Sequence, residues 1–150
     1  LPAGPLREGS EALERIDKFV VVSKSTNHET AEKVARIMHK RLKLQTSVCY
    51  TEPDYVYDIK NGQRLMEGLE VTAMCAIGQP QQFYDFLTDY QVVKTVTFDD
   101  HHQYSAGDIV DISGSIITTE KDAVKLARFD RGNVYALRLK TVLDVEDLLS

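Results

Sequence analysis

Three short stretches hold the residue types best suited to chemistry. Asp100-His101-His102 follows the apolar run Val92 to Phe98. An imidazole there can hold a proton near neutral pH or orient a carboxylate, and either role serves transfer chemistry. The same residues would also make a plain polar turn whose histidines bond only the backbone. A metal pair is a third reading, although no Cys or carboxylate partner stands at ligand spacing. Thr118-Thr119-Glu120-Lys121-Asp122 follows Ile116-Ile117. A helix starting there could hold a phosphate or carboxylate on its free N–H groups, with the Lys121 ammonium beside it. Alternatively Thr119 and Asp122 simply cap that helix while Glu120 favours its first turn. The third stretch, Ala76-Ile77-Gly78-Gln79-Pro80, is a glycine turn between a strand and a helix. The chain contains neither Gly-x-x-x-x-Gly-Lys-Ser/Thr nor Gly-x-Gly-x-x-Gly, so it has no recognisable phosphate-cradling loop of its own.

The elements around these stretches alternate. Phe19 to Val22 is a continuous apolar run, as in a strand buried on both faces. Ser10 to Ile16 suits a short helix before it. Thr26 and Glu29 have capping-box spacing, which predicts a helix to Leu42. On it Val34, Ala35, Ile37, Met38 and Leu42 share one arc. Lys33, Arg36, Lys40 and Lys43 share the opposite arc, a stripe that could face anionic headgroups or simply be solvated. Ser47 to Tyr50 and Tyr55 to Tyr57 read as two short extended segments around a turn at Pro53. Strands are expected at Val71 to Ile77, Val92 to Phe98, Ile116 to Thr118 and Val134 to Leu139. Helices are expected after Pro80, around Ser105 to Asp108, over Ala123 to Arg128 and over Asp144 to Leu149. This order predicts βαβ units, a mostly parallel sheet with flanking helices, and ligand chemistry at the C-terminal ends of the strands.

Composition narrows the class. A hydrophobic fraction of 43 % and a charged fraction of 27 % suit a folded domain. The net charge of −5 gives no reason to expect nucleic acid as a partner. No apolar run approaches the ~18–20 residues that cross a bilayer as a helix. Cys49 and Cys75 fall inside expected strands and read as reduced core residues.

With Leu1-Pro2-Ala3-Gly4-Pro5-Leu6-Arg7-Glu8 at the front, the order of these stretches resembles the tetraacyldisaccharide 4'-kinase family of lipid A biosynthesis. Asp100-His101, with Tyr104 as the following aromatic, matches the family's Asp-His motif, and Thr119 to Lys125 matches Thr-Glu-Lys-Asp-Ala-Val-Lys without a change. Ala76 replaces the first glycine of a Gly-Ile-Gly-Asn-Pro-like turn, Gln79 its asparagine, and Gly9 stands where proline is frequent.

The resemblance implies the C-terminal part of a P-loop NTPase-like kinase whose phosphate loop, metal ligands and base aspartate come from another part of the protein. It implies transfer of the ATP γ-phosphoryl group, with Mg2+, to the 4'-hydroxyl of a lipid A disaccharide 1-phosphate precursor. The place implied is the cytoplasmic face of the inner membrane, with peripheral association. Catalytic roles fall to His101, which would pair with the base aspartate across a cleft, and to Asp100. Candidates for substrate or phosphate binding are Arg7, Glu8, Lys121 and Gln79. The implied organisation is 1–45 as the end of a nucleotide-binding domain, 46–69 as an extended connector and 70–150 as a smaller α/β domain. The chain is then expected to be a piece of a longer one, inactive alone. Two rivals remain: a non-catalytic α/β interaction module, and a two-metal phosphoesterase of the Asp-His-His class, for which upstream Asp-x-Asp strand ends are lacking.

Overall fold

Val71 to Cys75 is apolar on both faces, which commits it to the middle of a covered sheet. In the computed structural model, which describes residues 15–23 and 28–144, that strand is buried from Val71 onward. The chain divides into two units, residues 52–140 and residues 1–51 with 141–150.

In the larger unit the strand order is β2, β6, β5, β3, β4. The strands are β2 Gln45–Asp58, β3 Glu70–Cys75, β4 Gln91–Thr97, β5 Ser115–Thr119 and β6 Val134–Asp144. β3 pairs in parallel with β4 and β5, and β5 in parallel with β6. β2 and β6 run in opposite senses, because Ile59 N–H donates to Val134 O while Glu52 pairs with Lys140. The sheet is therefore mostly parallel, as expected, with one antiparallel junction. Alternation sorts its side chains. Val71, Ala73, Cys75 and Ile117 pack with Phe83, Phe86 and Leu87. Met74, Ala76 and Ile116 pack on the other face with Tyr104, Ile109 and Leu126. Helix α2 (Pro80–Asp85), with Pro80 in its first turn, covers the first face. Helices α3 (Gly107–Val110) and α4 (Glu120–Leu126) cover the second.

In the smaller unit β1 (Lys18–Ser23) pairs in parallel with Gln45 to Tyr50 of β2. Helix α1 (Glu29–Leu42) buries Ala31, Ala35 and Met38, a stripe at i, i+4, i+7. Val34 and Ile37 lie off that stripe and are exposed, so the apolar arc is narrower than expected. On the basic arc, Lys33 pairs with Glu29 and Arg36 with Glu32 across one turn. Such exposed pairs stabilise a helix by about 0.3–0.5 kcal/mol. Thr26, the expected cap, lies outside the described residues, and His28 occupies the N-cap position.

Two other expectations change. β2 is one strand of 14 residues running straight through Pro53 rather than two segments around a turn. β1 stops pairing at Tyr50, so Pro53 has strand company on one side only, where its missing N–H is tolerated. β6 continues to Asp144 instead of ending at Leu139. Of the expected helices Ser10 to Ile16 and Asp144 to Leu149, residues 10–14 and 145–149 lie outside the described residues. Cys49 and Cys75 are both free thiols, and burial pushes the Cys75 thiol up.

Candidate active site

Three parallel strands end together, and their ends carry the three stretches. β3 and β4 are in register at Cys75 and Thr97, and Phe98 N–H donates to Cys75 O at 2.9 Å. From there Lys121 Nζ reaches Asp100 Oδ1 at 2.9 Å. Gly78 lies so close that a Cβ on it would stand 3.8 Å from Asp100 Oδ2. Ala76 N–H donates to Asp122 Oδ2 at 2.9 Å. The parallel topology thus turns segments 46 residues apart into neighbours.

The Asp-His motif is a tight turn closed by His102 N–H donating to Asp99 O at 3.0 Å. Its two histidines part company. His101 adopts φ +67°, a left-handed conformation that is uncommon for a residue with a Cβ. Its side chain is 78 % exposed, with Nε2 3.5 Å from Asp100 Oδ2. His102 turns inward: it stacks on Phe98 with centroids 4.4 Å apart and meets Tyr104 edge-on. Its Nε2 lies 3.2 Å from Asp108 Oδ2, which also accepts from Ser105 N–H and Oγ. The hydrogen bond from Lys121 holds the Asp100 carboxyl below its usual range, with the His101 backbone N–H and imidazole assisting. Asp108 is lowered likewise, first by the Ser105 N–H and then by His102.

Beneath this exposed tip lies a buried corner. Thr119 Oγ1 accepts from Asp122 N–H, the capping arrangement, and donates to Asp122 Oδ2 at 2.9 Å. Asp122 is fully buried, and the Lys125 ammonium lies 3.5 Å from its Oδ1. Of the two readings of this stretch, capping describes it: the Asp122 N–H is engaged by Thr119 rather than open to an anion. Glu120 accepts from the Tyr57 hydroxyl and pairs with Arg138. Gln79 sits at the N-cap position of α2 without making a side-chain cap. Arg7 and Glu8 lie outside the described residues.

A family model described as tetraacyldisaccharide-1-P 4'-kinase, LpxK, matches residues 1–150. The chain belongs to this family. It is 32 % identical over 154 residues to the tetraacyldisaccharide 4'-kinase of Shewanella denitrificans, a match covering 97 % of this chain and 42 % of that protein. Identity to the Psychromonas ingrahamii kinase is 35 % over 141 residues, covering 91 % of this chain and 39 % of the relative. Among solved structures, LpxK from Aquifex aeolicus, in complex with ATP, is similar with a TM-score of 0.62 and 26 % identity. That likeness covers 96 % of this chain and 44 % of the other. The chain thus spans about two fifths of the length of the kinases it matches.

In this chain the loop after the Asp-His turn is pinned from α4 and the segment after it, which the sequence reading missed. Lys125 Nζ donates to His102 O at 3.1 Å, Arg128 to Tyr104 O, and Arg131 Nη1 to Ile109 O at 2.7 Å. The three cations are three residues apart, Lys125 in α4 and Arg128 and Arg131 beyond its end, a spacing that could have been noticed after the Thr-Glu-Lys-Asp motif. The inward role of His102 left no such trace. Among the described residues no group of three or more His, Cys, Asp or Glu side chains could hold a metal ion. The two-metal phosphoesterase reading needs such a group, and Asp100 has a lysine where that group would stand.

Proposed function

We propose that this chain supplies the acceptor-side wall of a kinase that phosphorylates the 4'-hydroxyl of a tetraacyl disaccharide 1-phosphate from ATP. One observation carries the reading: of two adjacent histidines, the turn stacks one on Phe98, half-buried, and presents the other outward on a left-handed backbone. An αL residue with a full side chain costs of order 1 kcal/mol, and such strain clusters at functional positions. His101 is aimed away from its own core by that geometry.

In this proposal His101 donates a ring N–H to a base aspartate contributed from outside the chain. An imidazole so placed fixes the carboxylate's direction while the acceptor hydroxyl gives up its proton. Asp100, held below the usual carboxylate range by Lys121, sits behind the imidazole, its Oδ2 3.5 Å from His101 Nε2. Phosphoryl transfer depends mostly on positioning and charge neutralisation, so such alignment has value without a covalent role. In this proposal ATP and magnesium are held mainly by another part of the protein, the sequence here having no recognisable phosphate-cradling loop. In this proposal the enzyme, acting on an acylated acceptor, associates peripherally with the cytoplasmic face of the inner membrane.

The test is His101→Ala in the full-length enzyme. We expect kcat to fall about 100-fold, the usual scale for a group assisting proton transfer, with KM for ATP moving far less. Equal turnover by mutant and parent would remove His101 from the mechanism.

A further inference from the structure

Of the two histidines in the turn, the one that the proposed chemistry leaves unused is the more firmly held. His102 N–H donates to Asp99 O at 3.0 Å, and its carbonyl accepts from Lys125 Nζ at 3.1 Å. Its ring lies 16° from parallel to Phe98, 4.4 Å between centroids, and meets the Tyr104 ring edge-on at 5.2 Å. Both aromatics are anchored below: Tyr104 belongs to the buried cluster on this face of the sheet, and Phe98 packs against it. His102 Nε2 lies 3.2 Å from Asp108 Oδ2. A carboxylate only accepts, so Nε2 carries the proton of that bond. Asp108 is tied down in turn, its Oδ2 accepting from Ser105 N–H at 2.7 Å and Ser105 Oγ at 3.0 Å. It stands in the first turn of α3, whose Ile109 is buried in the same cluster.

His101, one residue earlier, has its side chain 78 % exposed on a left-handed backbone. A residue held in that region keeps its direction only while the chain on either side is fixed. On one side Lys121 holds Asp100. On the other side the fixed point is His102. A stacked ring resists being lifted but can still slide in its own plane, whereas a hydrogen bond sets a direction. Asp108 therefore supplies the part of the anchoring that stacking on Phe98 leaves open. We propose that His102 is a positioning residue for the transfer reaction: held by Asp108, it fixes the backbone from which His101 is presented. The assignment rests on the kinase reading above and deepens it, since it gives α3 a share in the reaction through His101. His102 needs no contact with a substrate for this role.

The experiment is a double-mutant cycle in the full-length enzyme, with ATP and the tetraacyl disaccharide 1-phosphate as substrates. His102→Phe keeps an aromatic ring on Phe98 and loses the bond to Asp108. We expect kcat to fall about tenfold, short of the ~100-fold that an ångström of misplacement can cost, while KM for ATP hardly moves. Asp108→Ala removes the same bond from the other side and should give a comparable loss; it carries the cycle if the Phe variant does not fold. In a His101→Ala background neither substitution should lower kcat further, because no imidazole is left to position. A loss of equal size in both backgrounds overturns the proposal, since His102 would then support the loop as a whole. Unchanged kcat in the parent background, or a change confined to KM for ATP, overturns it too. If His101→Ala alone turns over like the parent, the kinase role of His101 fails first and this inference falls with it. A loss at His101 without one at His102 or Asp108 defeats the inference alone.

Discussion

The exposed turn at Asp99 to His102 and the buried corner at Thr118 to Asp122 are joined by one lysine and built on opposite principles. At the turn, contacts are solvent-facing: Asp100 and Lys121 each leave 44 % of the side chain exposed. Exposed pairs contribute about 0–1 kcal/mol, so this pair orients more than it stabilises. In the corner, a fully buried carboxylate takes hydrogen bonds from a backbone N–H of β3 and from the Thr119 hydroxyl. Such bonds are expensive to break because a partner is left buried and unpaired. The corner ties the strands together, and the tip carries the residues proposed for chemistry.

The largest expected effect tests that division directly. Asp122→Ala deprives the Ala76 N–H and the Thr119 hydroxyl of their acceptor and should destabilise the protein by about 3 kcal/mol, read from urea unfolding. A loss below about 1 kcal/mol would mean that the corner is not the anchor it looks to be. A smaller effect is expected at the tip. His101→Asn should hold stability within about 0.5 kcal/mol of the parent, because Asn accepts the left-handed region, whereas His101→Val should cost about 1–2 kcal/mol more. Equal stabilities for the two variants would deny that the turn is strained. The smallest effect concerns charge. Lys121→Met should raise the Asp100 pKa toward the ordinary ~3.9, read by NMR titration. Because that pKa is lowered in the fold, whatever the pair adds is present above the ordinary carboxylate range. It fades as pH falls through the lowered value, and the variant should lack that acid-side dependence.

The alternation of apolar runs with helical stripes was enough to read the parallel sheet, and the convergence of three stretches followed from it. Periodicity is a local signal, and β3, β4, β5 and α2 are decided locally. Pro53 misled because a proline reads as a turn whenever strand partners are unknown, and only the pairing limit at Tyr50 shows why it is tolerated. His101 and His102 could not be told apart in sequence: which ring turns inward depends on Phe98, Tyr104 and Asp108 meeting around it.

The clamp from Lys125, Arg128 and Arg131 has an uneven consequence for mutation. All three cations grip main-chain oxygens, at His102, Tyr104 and Ile109, which every residue type carries. Side chains along the gripped segment can therefore be exchanged wherever they do not enter the core, and the path of the loop persists. The three gripping residues have less latitude, for a shorter or neutral replacement removes a hydrogen bond to a main-chain oxygen of the loop. Tolerance and intolerance to substitution then lie on opposite sides of one contact, the first on the loop and the second on α4 and the segment after it.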